Sequence, residues 1–399
     1  MSHDQRLPRA GLWFAISLGL VTILGPAGTD MYLGSLPEMV SELGASTAQG
    51  QLTLTVYLLA MGVGQLFFGP IIDAVGRRWP LLIALAAFLL ASVWAAMSAT
   101  VIILLVARFV QGLAAAMTLV VAMSMVRDRA SGTRAAQLFA LLMTIEGLAP
   151  VLAPTAGGFV DAAWGWRAVL LVLAGLAAIA LINTSVSLPE SLPRSQRSSL
   201  RLGSVLRAYS VIIRDSRFLL PALGLSAVFF FLFVYIGGAT FIYQGVYGLD
   251  TDAFGLVFGG TGIAVLIGAV ASGRTVQRFG AGTLAVTGAV LILVGAVLAI
   301  LLSQMGLGLW GIVAGMFVAL LGLGMSEATL MALAMSSQEV NLGSTAALLG
   351  AFQLIISSLA TPLAGALVPG GALPWLSGMA VTAVVALVIV GVSARRARS

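Results

Sequence analysis

Four charged residues fall inside long apolar segments of this 399-residue sequence, and their types indicate proton chemistry. They are Asp30, Arg108, Glu146 and Glu327. A charge at the centre of a bilayer costs about 2.5–3.5 kcal/mol on insertion scales, so such a residue is retained there for a function. Burial penalises the charged form of a carboxyl group, which can therefore bind and release a proton as its surroundings change. We expect these residues to carry protons or to support a group that does.

The composition requires a membrane around the segments that hold these charges. Hydrophobic residues make up 60% of the chain and charged residues only 9%, against about 25% charged residues in an average soluble protein. The chain has no cysteine and one histidine, His3 in the polar N-terminal tail. Disulfides, thiolate metal sites and cysteine nucleophiles are therefore excluded. We expect an all-α integral membrane protein without a metal site.

Windows of about 20 apolar residues, the length that crosses a bilayer, predict twelve transmembrane helices. A polar stretch at 188–217 divides them into an N-terminal six-helix bundle at 1–187 and a C-terminal bundle with a short cytoplasmic tail at 218–399. This stretch predicts a cytoplasmic central linker with an amphipathic helix near 200–214. The twelve predicted segments are 12–34, 51–71, 79–97, 101–125, 137–159, 167–187, 218–242, 253–273, 282–303, 308–334, 345–367 and 373–393.

Arginine is the only strong base in the chain, and its distribution predicts the orientation. All arginines except Arg108 and Arg167 lie in the termini or in the loops on the same side of the membrane as the termini. Because basic loops remain cytoplasmic, both termini are predicted to be cytoplasmic. The formal charge of +6 is thereby explained without a nucleic-acid partner.

Matched loops in the two bundles indicate an internal repeat. Residues 69–76 have the sequence Gly-x-x-x-Asp-x-x-Gly, and residues 273–280 have Gly-x-x-x-Gln-x-x-Gly at the corresponding place. Repeated halves of six spans are typical of transporters. Residues 69–78 add two arginines to the pattern and resemble the signature loop of the major facilitator superfamily, where it forms a charge latch on the cytoplasmic side.

Further segments resemble the same superfamily. Residues 105–112 resemble its motif with a membrane-embedded Arg, here Arg108, and residues 149–158 resemble the Gly/Pro-rich motif of its antiporters, with Ala153 where Gly is usual. Residues 30–37, 51–57 and 241–249 resemble Bcr/CflA-type drug:proton antiporters and phenicol exporters, although Gly34 stands where that subgroup commonly has Pro. The resemblance covers essentially the whole chain. It implies two pseudo-symmetric six-helix bundles in the major facilitator fold.

Together, burial and the resemblance suggest a role for each embedded charge. Asp30 is expected to be the main proton-coupling carboxylate, and Arg108 to tune nearby carboxylates or hold a polar network. Glu146 is expected to be either a second titrating group or the partner of Arg108. Glu327 is the comparable acid of the C-terminal half.

Two further sets of residues complete the expected site. Polar side chains within spans are candidates for substrate contact, because an amide or hydroxyl facing lipid is costly. These are Tyr57, Gln65, Gln111, Tyr235, Tyr243, Gln244 and Gln353. The two loop and hinge motifs are expected to act in gating, through Gly69, Asp73, Gly76, Arg77, Arg78, Pro150, Pro154, Gly157 and Gly158.

These features predict a proton-coupled antiporter that exports lipophilic drugs, including chloramphenicol-like antibiotics, by alternating access. The same fold exporting a small metabolite, such as a sugar or an amino acid, is an alternative, and a channel or scaffold is a remote one. An enzyme is not expected. We expect no cofactor beyond the proton gradient, a lipophilic substrate, protons and the bilayer as partners, and a monomer in the bacterial inner membrane.

Overall fold

The structure is a computed structural model that describes residues 9–197, 202–338 and 342–396. These residues form helices joined by short turns, and no strand occurs among them. Their long apolar helices form twelve spans, since the 55-residue stretch Ala281–Met335 consists of two helices separated by the non-helical Gly306, whose φ is 93°. The predicted all-helical membrane fold is confirmed.

Spans 1 to 6 belong to the first half of the chain. Span 1 consists of three short α-helices and a 3-10 turn, whereas each of the next five spans is one helix. The pieces of span 1 are Arg9–Thr22, Leu24–Asp30, Leu33–Ser35 and Leu36–Glu42, and spans 2 to 6 are Thr47–Val75, Arg78–Ala96, Val101–Arg129, Gly132–Trp164 and Trp166–Ser187.

Spans 7 to 12 follow a linker that contains a 3-10 turn, Arg194–Gln196, and an α-helix, Leu202–Arg214, here called the linker helix. Span 7 ends in a π-helical turn, and span 11 is broken near its end. The elements are Ser216–Thr240 with Phe241–Val246, Thr251–Phe279, Ala281–Leu302 with Ser303–Leu307, Gly308–Met335, Leu342–Ser358 with Ala360–Leu367 and Val368–Gly370, and Ala372–Arg396.

The division of span 1 is the main departure from the predicted segments. Hydropathy predicts one helix at 12–34, but the chain turns at Ile23 and again after Asp30 before a third helix begins at Leu36. Pro26 lacks an N–H donor, and Pro37 occupies the first turn of the third helix, where a missing donor costs nothing. Hydropathy does not reveal such breaks, because the residues at the breaks are as apolar as those within the helices.

Glycines end spans 2 and 8 at corresponding places. Gly76 has a φ of 103° and Gly280 a φ of 77°. Residues that carry a Cβ rarely adopt such positive φ angles. Both residues close the matched Gly-x-x-x-x-x-x-Gly loops. The repeated spacing thus has the same backbone consequence in both halves, a sharp reversal between two packed helices.

The two halves meet along two pairs of helices, span 2 with span 11 and span 5 with span 8. We call the side that carries Arg77, Arg129, Arg214 and Arg278 the arginine-rich face, and the other side the opposite face. Four hydrogen bonds between described residues of the two halves lie toward the opposite face. The partners are Gln51 with Gly237, Thr55 with Thr361 at 2.6 Å, Thr155 with Gly255 at 3.0 Å and Gln244 with Gly34 at 2.8 Å.

Spans 9 and 10 form an antiparallel hairpin in which backbones touch. A Cβ placed on Gly295 would overlap the backbone of Gly315 and Ala319, and one on Gly315 would overlap that of Ala299. Close backbone approach between small residues is a main source of helix association in lipid. These glycines therefore set the distance between the two helices.

We predict that Gly295→Ala destabilises the protein by about 1–3 kcal/mol, the usual cost of overpacking. The matched control is Gly175→Ala in span 6, where a Cβ meets no atom within 4 Å and the substitution improves helix propensity. Thermal unfolding in detergent measures the difference. Equal midpoints for the two variants would contradict the packing argument.

Candidate functional site

The centre of the first half holds a buried guanidinium. Arg108 has no solvent exposure, and its carbon Cζ lies 4.2 Å from the ring centroid of Tyr32 and 4.3 Å from that of Tyr57. Its Nη1 donates to Gln111 Oε1 at 2.5 Å, and its Nη2 donates to the Gly28 carbonyl at 2.7 Å. We call these five residues the Arg108 cluster. Two aromatic faces and two oxygens replace the water that the cation loses on burial.

The surrounding hydrogen bonds fix the members of the cluster. Gln111 donates through Nε2 to Ser92 Oγ at 2.7 Å, so both ends of its amide are engaged. The Tyr57 hydroxyl donates to the Gly25 carbonyl at 2.9 Å, and the Tyr32 hydroxyl shares a 3.1 Å hydrogen bond with Thr53. Spans 1, 2, 3 and 4 are thereby joined around one charge.

Asp30 lies in the sequence between two members of this cluster, Gly28 and Tyr32. It is buried, with 6% of its surface exposed, and it ends the second helix of span 1, beside the Thr29 hydroxyl. It interacts electrostatically with Tyr32 and Tyr57. None of the ion pairs among described residues includes Asp30 or Arg108. The two groups therefore share neighbours without forming a salt bridge.

Glu146 and Glu327 come from opposite halves and interact with each other. Glu146 lies on span 5 and Glu327 on span 10, and the Glu327 carboxylate is near enough to act electrostatically on that of Glu146. Glu146 Oε1 is buried and has no hydrogen-bond partner in the described structure. Glu146 is therefore not the partner of Arg108, one of the two roles expected from the sequence. Hydropathy could not decide this, because it shows depth along a span but not which side of the helix faces which neighbour.

The polar candidates for substrate contact separate into three groups. Tyr57 and Gln111 belong to the Arg108 cluster. Tyr235 and Tyr243 are buried in the second half, where their hydroxyls lie 3.4 Å apart and Tyr235 stacks on Phe258. The remaining three lie along the contact between halves: Gln244 bonds to Gly34, Gln65 packs against Gly350, and Gln353 is half-buried on span 11.

The loop at 69–78 forms a compact charge network at the arginine-rich face. Arg77 is 5% exposed and donates to Asp73 at 2.6 Å and to Asp128 at 3.0 Å. Burial lowers the pKa of Arg77, but these two ion pairs more than compensate and raise it. Asp128 was not among the predicted site residues. Its position beside Arg127 and Arg129 in the next basic loop was the available signal.

Glu190 of the linker is a second acid that the sequence did not single out. Its carboxylate accepts backbone hydrogen bonds that tie the linker to the loop between spans 2 and 3. The donors are the N–H groups of Arg77, Arg78, Ser191 and Leu192, at 2.9, 3.4, 3.0 and 3.1 Å. Partial burial raises the pKa of Glu190, but these four hydrogen bonds outweigh burial and lower it.

The Gly/Pro-rich segment of span 5 lies where the opposite face closes. Pro150 and Pro154 are inside the helix, and the Pro154 carbonyl lies close to Gly255 of span 8. A Cβ on Gly157 would overlap the backbone of Met31, and one on Gly158 would overlap that of Thr251. Small residues here let span 5 approach spans 1 and 8 simultaneously.

The structure has two six-span halves with matched loops, and it buries charged groups within these spans. This architecture is typical of transporters. The profile of the Major Facilitator Superfamily matches residues 18–361, and the chain belongs to this family. The resemblance seen in the sequence is confirmed. The protein is a multi-pass membrane protein of a transporter family.

Individual relatives agree with this assignment. The chain is 33% identical over 376 residues to an uncharacterized MFS-type transporter, YdgK, of Bacillus subtilis (92% and 93% of the two chains). It is 30% identical over 309 residues to a bicyclomycin resistance protein homolog of Haemophilus influenzae (76% of each). It is 34% identical over 186 residues to the multidrug resistance protein MdtL of Escherichia coli (47% and 48%).

Solved structures show the same fold at low sequence identity. A D-xylose-proton symporter superposes with a TM-score of 0.74 at 17% identity, covering 95% of this chain and 97% of that one. A variant of the nucleoside transporter NupG gives a TM-score of 0.73 at 16% identity, covering 96% of this chain and 99% of that one. Identity this low supports the fold alone.

We predict that Gly157→Leu opens the opposite face, because the larger side chain would push span 5 away from Met31 in span 1. The chain has no native cysteine, so Ser35→Cys, at a position only 1% exposed, is a clean reporter of accessibility. Maleimide should label the thiol introduced at position 35 faster in the Gly157→Leu background. Gly175→Leu, where space is open, is the control. Equal labelling in both backgrounds would refute a role for Gly157 in closure.

We predict that Glu190→Gln loosens the linker at neutral pH. Because the folded pKa of Glu190 is lowered, its stabilising effect is complete above the ordinary glutamate value and is lost as the pH falls through the lowered one. Hydrogen exchange of residues 188–197 should be faster in the variant at pH 7, and the difference should vanish in acid. Glu38→Gln at the opposite face is the control, and unchanged exchange in Glu190→Gln would exclude this attachment.

Proposed function

We propose that the protein is a proton-driven antiporter that exports lipophilic drugs, chloramphenicol-like antibiotics among them, by alternating exposure of a central site. The observation that carries the proposal is the buried carboxylate Asp30 at the break in span 1, next to the Arg108 cluster. Discontinuous spans with polar groups near the middle are typical of transporter binding sites. Relatives named for bicyclomycin and multidrug resistance support drugs as the substrate class.

The chemistry of the cluster suits coupling by Asp30. Arg108 carries a fixed positive charge that is solvated by tyrosine rings, an amide and a carbonyl. Protonation of Asp30 changes the net charge of the region by one while Arg108 stays charged. A bound drug and a bound proton then favour different states of the site, which is the requirement for exchange.

Glu146 and Glu327 form a second site where protons can bind. Two carboxylates that face each other resist being charged together, and here each belongs to a different half. Protonation of either one removes a repulsion between the halves. We propose that this pair favours approach of spans 5 and 10 when it binds a proton, whereas Asp30 couples that proton flux to the drug.

The remaining parts of the proposal follow from the charge distribution. The arginine-rich face is cytoplasmic in this proposal, which places both termini inside the cell and the protein in the inner membrane of a bacterium. The transporter acts as a monomer with the proton gradient as its energy source and needs no cofactor.

We predict that Asp30→Asn abolishes uphill export. In proteoliposomes with an imposed pH gradient, the parent protein should accumulate chloramphenicol or another lipophile of a drug panel against its gradient. The variant should fall to the level of liposomes without protein, because its side chain cannot release a proton. Asp250→Asn, an exposed residue at the start of span 8, should transport like the parent.

Two outcomes would contradict parts of this proposal. Uphill export by Asp30→Asn with unchanged pH dependence would rule out Asp30 as the coupling residue. Absence of transport for every lipophile, together with proton-driven movement of a sugar or an amino acid, would favour the metabolite exporter. A solute flux whose rate does not depend on the imposed proton gradient would favour a channel.

A further inference from the structure

A cavity of about 470 Å³ lies at the arginine-rich face, outside the central site. The linker helix forms one wall, span 2 contributes Leu66, and span 11 contributes residues including Leu348, Phe352 and Ile355. Its lining is apolar except for two side chains of the linker helix. One of these, Tyr209, donates its hydroxyl to the Leu66 carbonyl at 2.9 Å and so offers little to a polar ligand.

The linker helix lies over this cavity without sealing it. Leu206, Tyr209, Ser210 and Ile213 line the cavity at the i, i+3, i+4, i+7 spacing of one helix face. Tyr209 is 9% exposed, but Leu206 remains 64% exposed and Ile213 36% exposed. An apolar face that is only partly covered at the boundary of a membrane protein is suited to an apolar chain entering from the side.

Two arginines of the linker helix lie next in sequence to residues that line the cavity, Arg207 beside Leu206 and Arg214 beside Ile213. Arg207 precedes Ser210 by three residues and Arg214 follows it by four, so all three share one side of the helix. Both arginines are exposed, and no hydrogen bond or ion pair to another described residue involves either of them. Two cations without a partner among the described residues therefore border an apolar cavity.

We propose that this cavity holds one acyl chain of an anionic phospholipid whose phosphate is bound by Arg207 and Arg214. The apolar lining fits the chain, and the two cations fit the headgroup charge. Amphipathic helices with arginine on the polar side bind anionic lipid surfaces in this manner. A neutral drug would fit the apolar cavity but would provide no negative charge to pair with the two arginines.

The position of the cavity connects the lipid to the transport cycle. Span 2 belongs to the first half and span 11 to the second, and the linker joins the two. A lipid that contacts all three binds with an affinity that depends on how the halves are arranged. By linkage, the lipid then shifts the balance between those arrangements.

Lipid binding to the purified full-length protein in detergent tests the proposal without requiring transport. Native mass spectrometry would compare dioleoylphosphatidylglycerol with dioleoylphosphatidylcholine, which has the same chains and no net charge. The parent should prefer phosphatidylglycerol, and the double variant Arg207→Gln/Arg214→Gln should bind it about thirtyfold more weakly, as expected for two arginines at a charged lipid. The double variant Arg274→Gln/Arg278→Gln, which changes two exposed arginines at the end of span 8 on this face, should bind like the parent.

A second variant tests the acyl-chain site itself. Ser210→Trp fills the cavity from an exposed position and should weaken binding of both lipids, whereas Val211→Trp, on the same helix but not in the lining, should leave it unchanged. Ala351→Leu fills the cavity from span 11 and should act like Ser210→Trp. Equal affinity of the parent for the two lipids, or unaltered binding by both cavity-filling variants, would overturn the proposal. Because transport is not measured, failure here is distinct from failure of the drug-export proposal.

Discussion

The burial of the Arg108 guanidinium is the interaction on which the first half of the structure depends. A cation in an apolar bundle must be solvated by the protein. Here the rings of Tyr32 and Tyr57 lie against the guanidinium, and the Gly28 carbonyl accepts a hydrogen bond from it. The break in span 1 and the absence of a side chain at Gly28, where a Cβ would overlap the Tyr57 hydroxyl, make this arrangement sterically possible. The result is a buried guanidinium that joins spans 1, 2, 3 and 4 and shares the neighbours Tyr32 and Tyr57 with Asp30.

The two halves are joined differently at their two faces. Toward the opposite face, close backbone contacts join span 5 to span 8, where Gly158 meets Thr251 and Gly255 meets Pro154. Hydrogen bonds there join Thr155 to Gly255 and Gln244 to Gly34. At the arginine-rich face, the contacts are charged ones within the first half and the linker, centred on Arg77 and Glu190. Close backbone contacts thus hold the halves together at the opposite face, whereas ion pairs and hydrogen bonds stabilise the arginine-rich face of the first half.

The linker between the halves is attached to the first half at two places. Glu190 attaches its first part to the loop between spans 2 and 3, and Tyr209 attaches the linker helix to span 2. Both of these hydrogen-bonded attachments are to the first half, and the linker helix also packs against spans 7 and 11 of the second half. The apolar cavity lies between the linker helix and spans 2 and 11, so an occupant of the cavity would contact both halves.

The sequence by itself determined the twelve spans, the two-half organisation of matched loops and the short set of buried charges. Each of these depends on local composition: a run of apolar residues selects a membrane environment, and a charge within it is costly wherever it points. The partners of those charges were decided by the tertiary structure alone. Glu146 interacts with Glu327 and not with Arg108. Gln111 forms hydrogen bonds with Arg108 and Ser92. Asp128 and Glu190 form hydrogen bonds with Arg77 and complete the charge network around it. Such pairings depend on which helix faces meet and where span 1 breaks, and these are set by packing between segments distant in the chain.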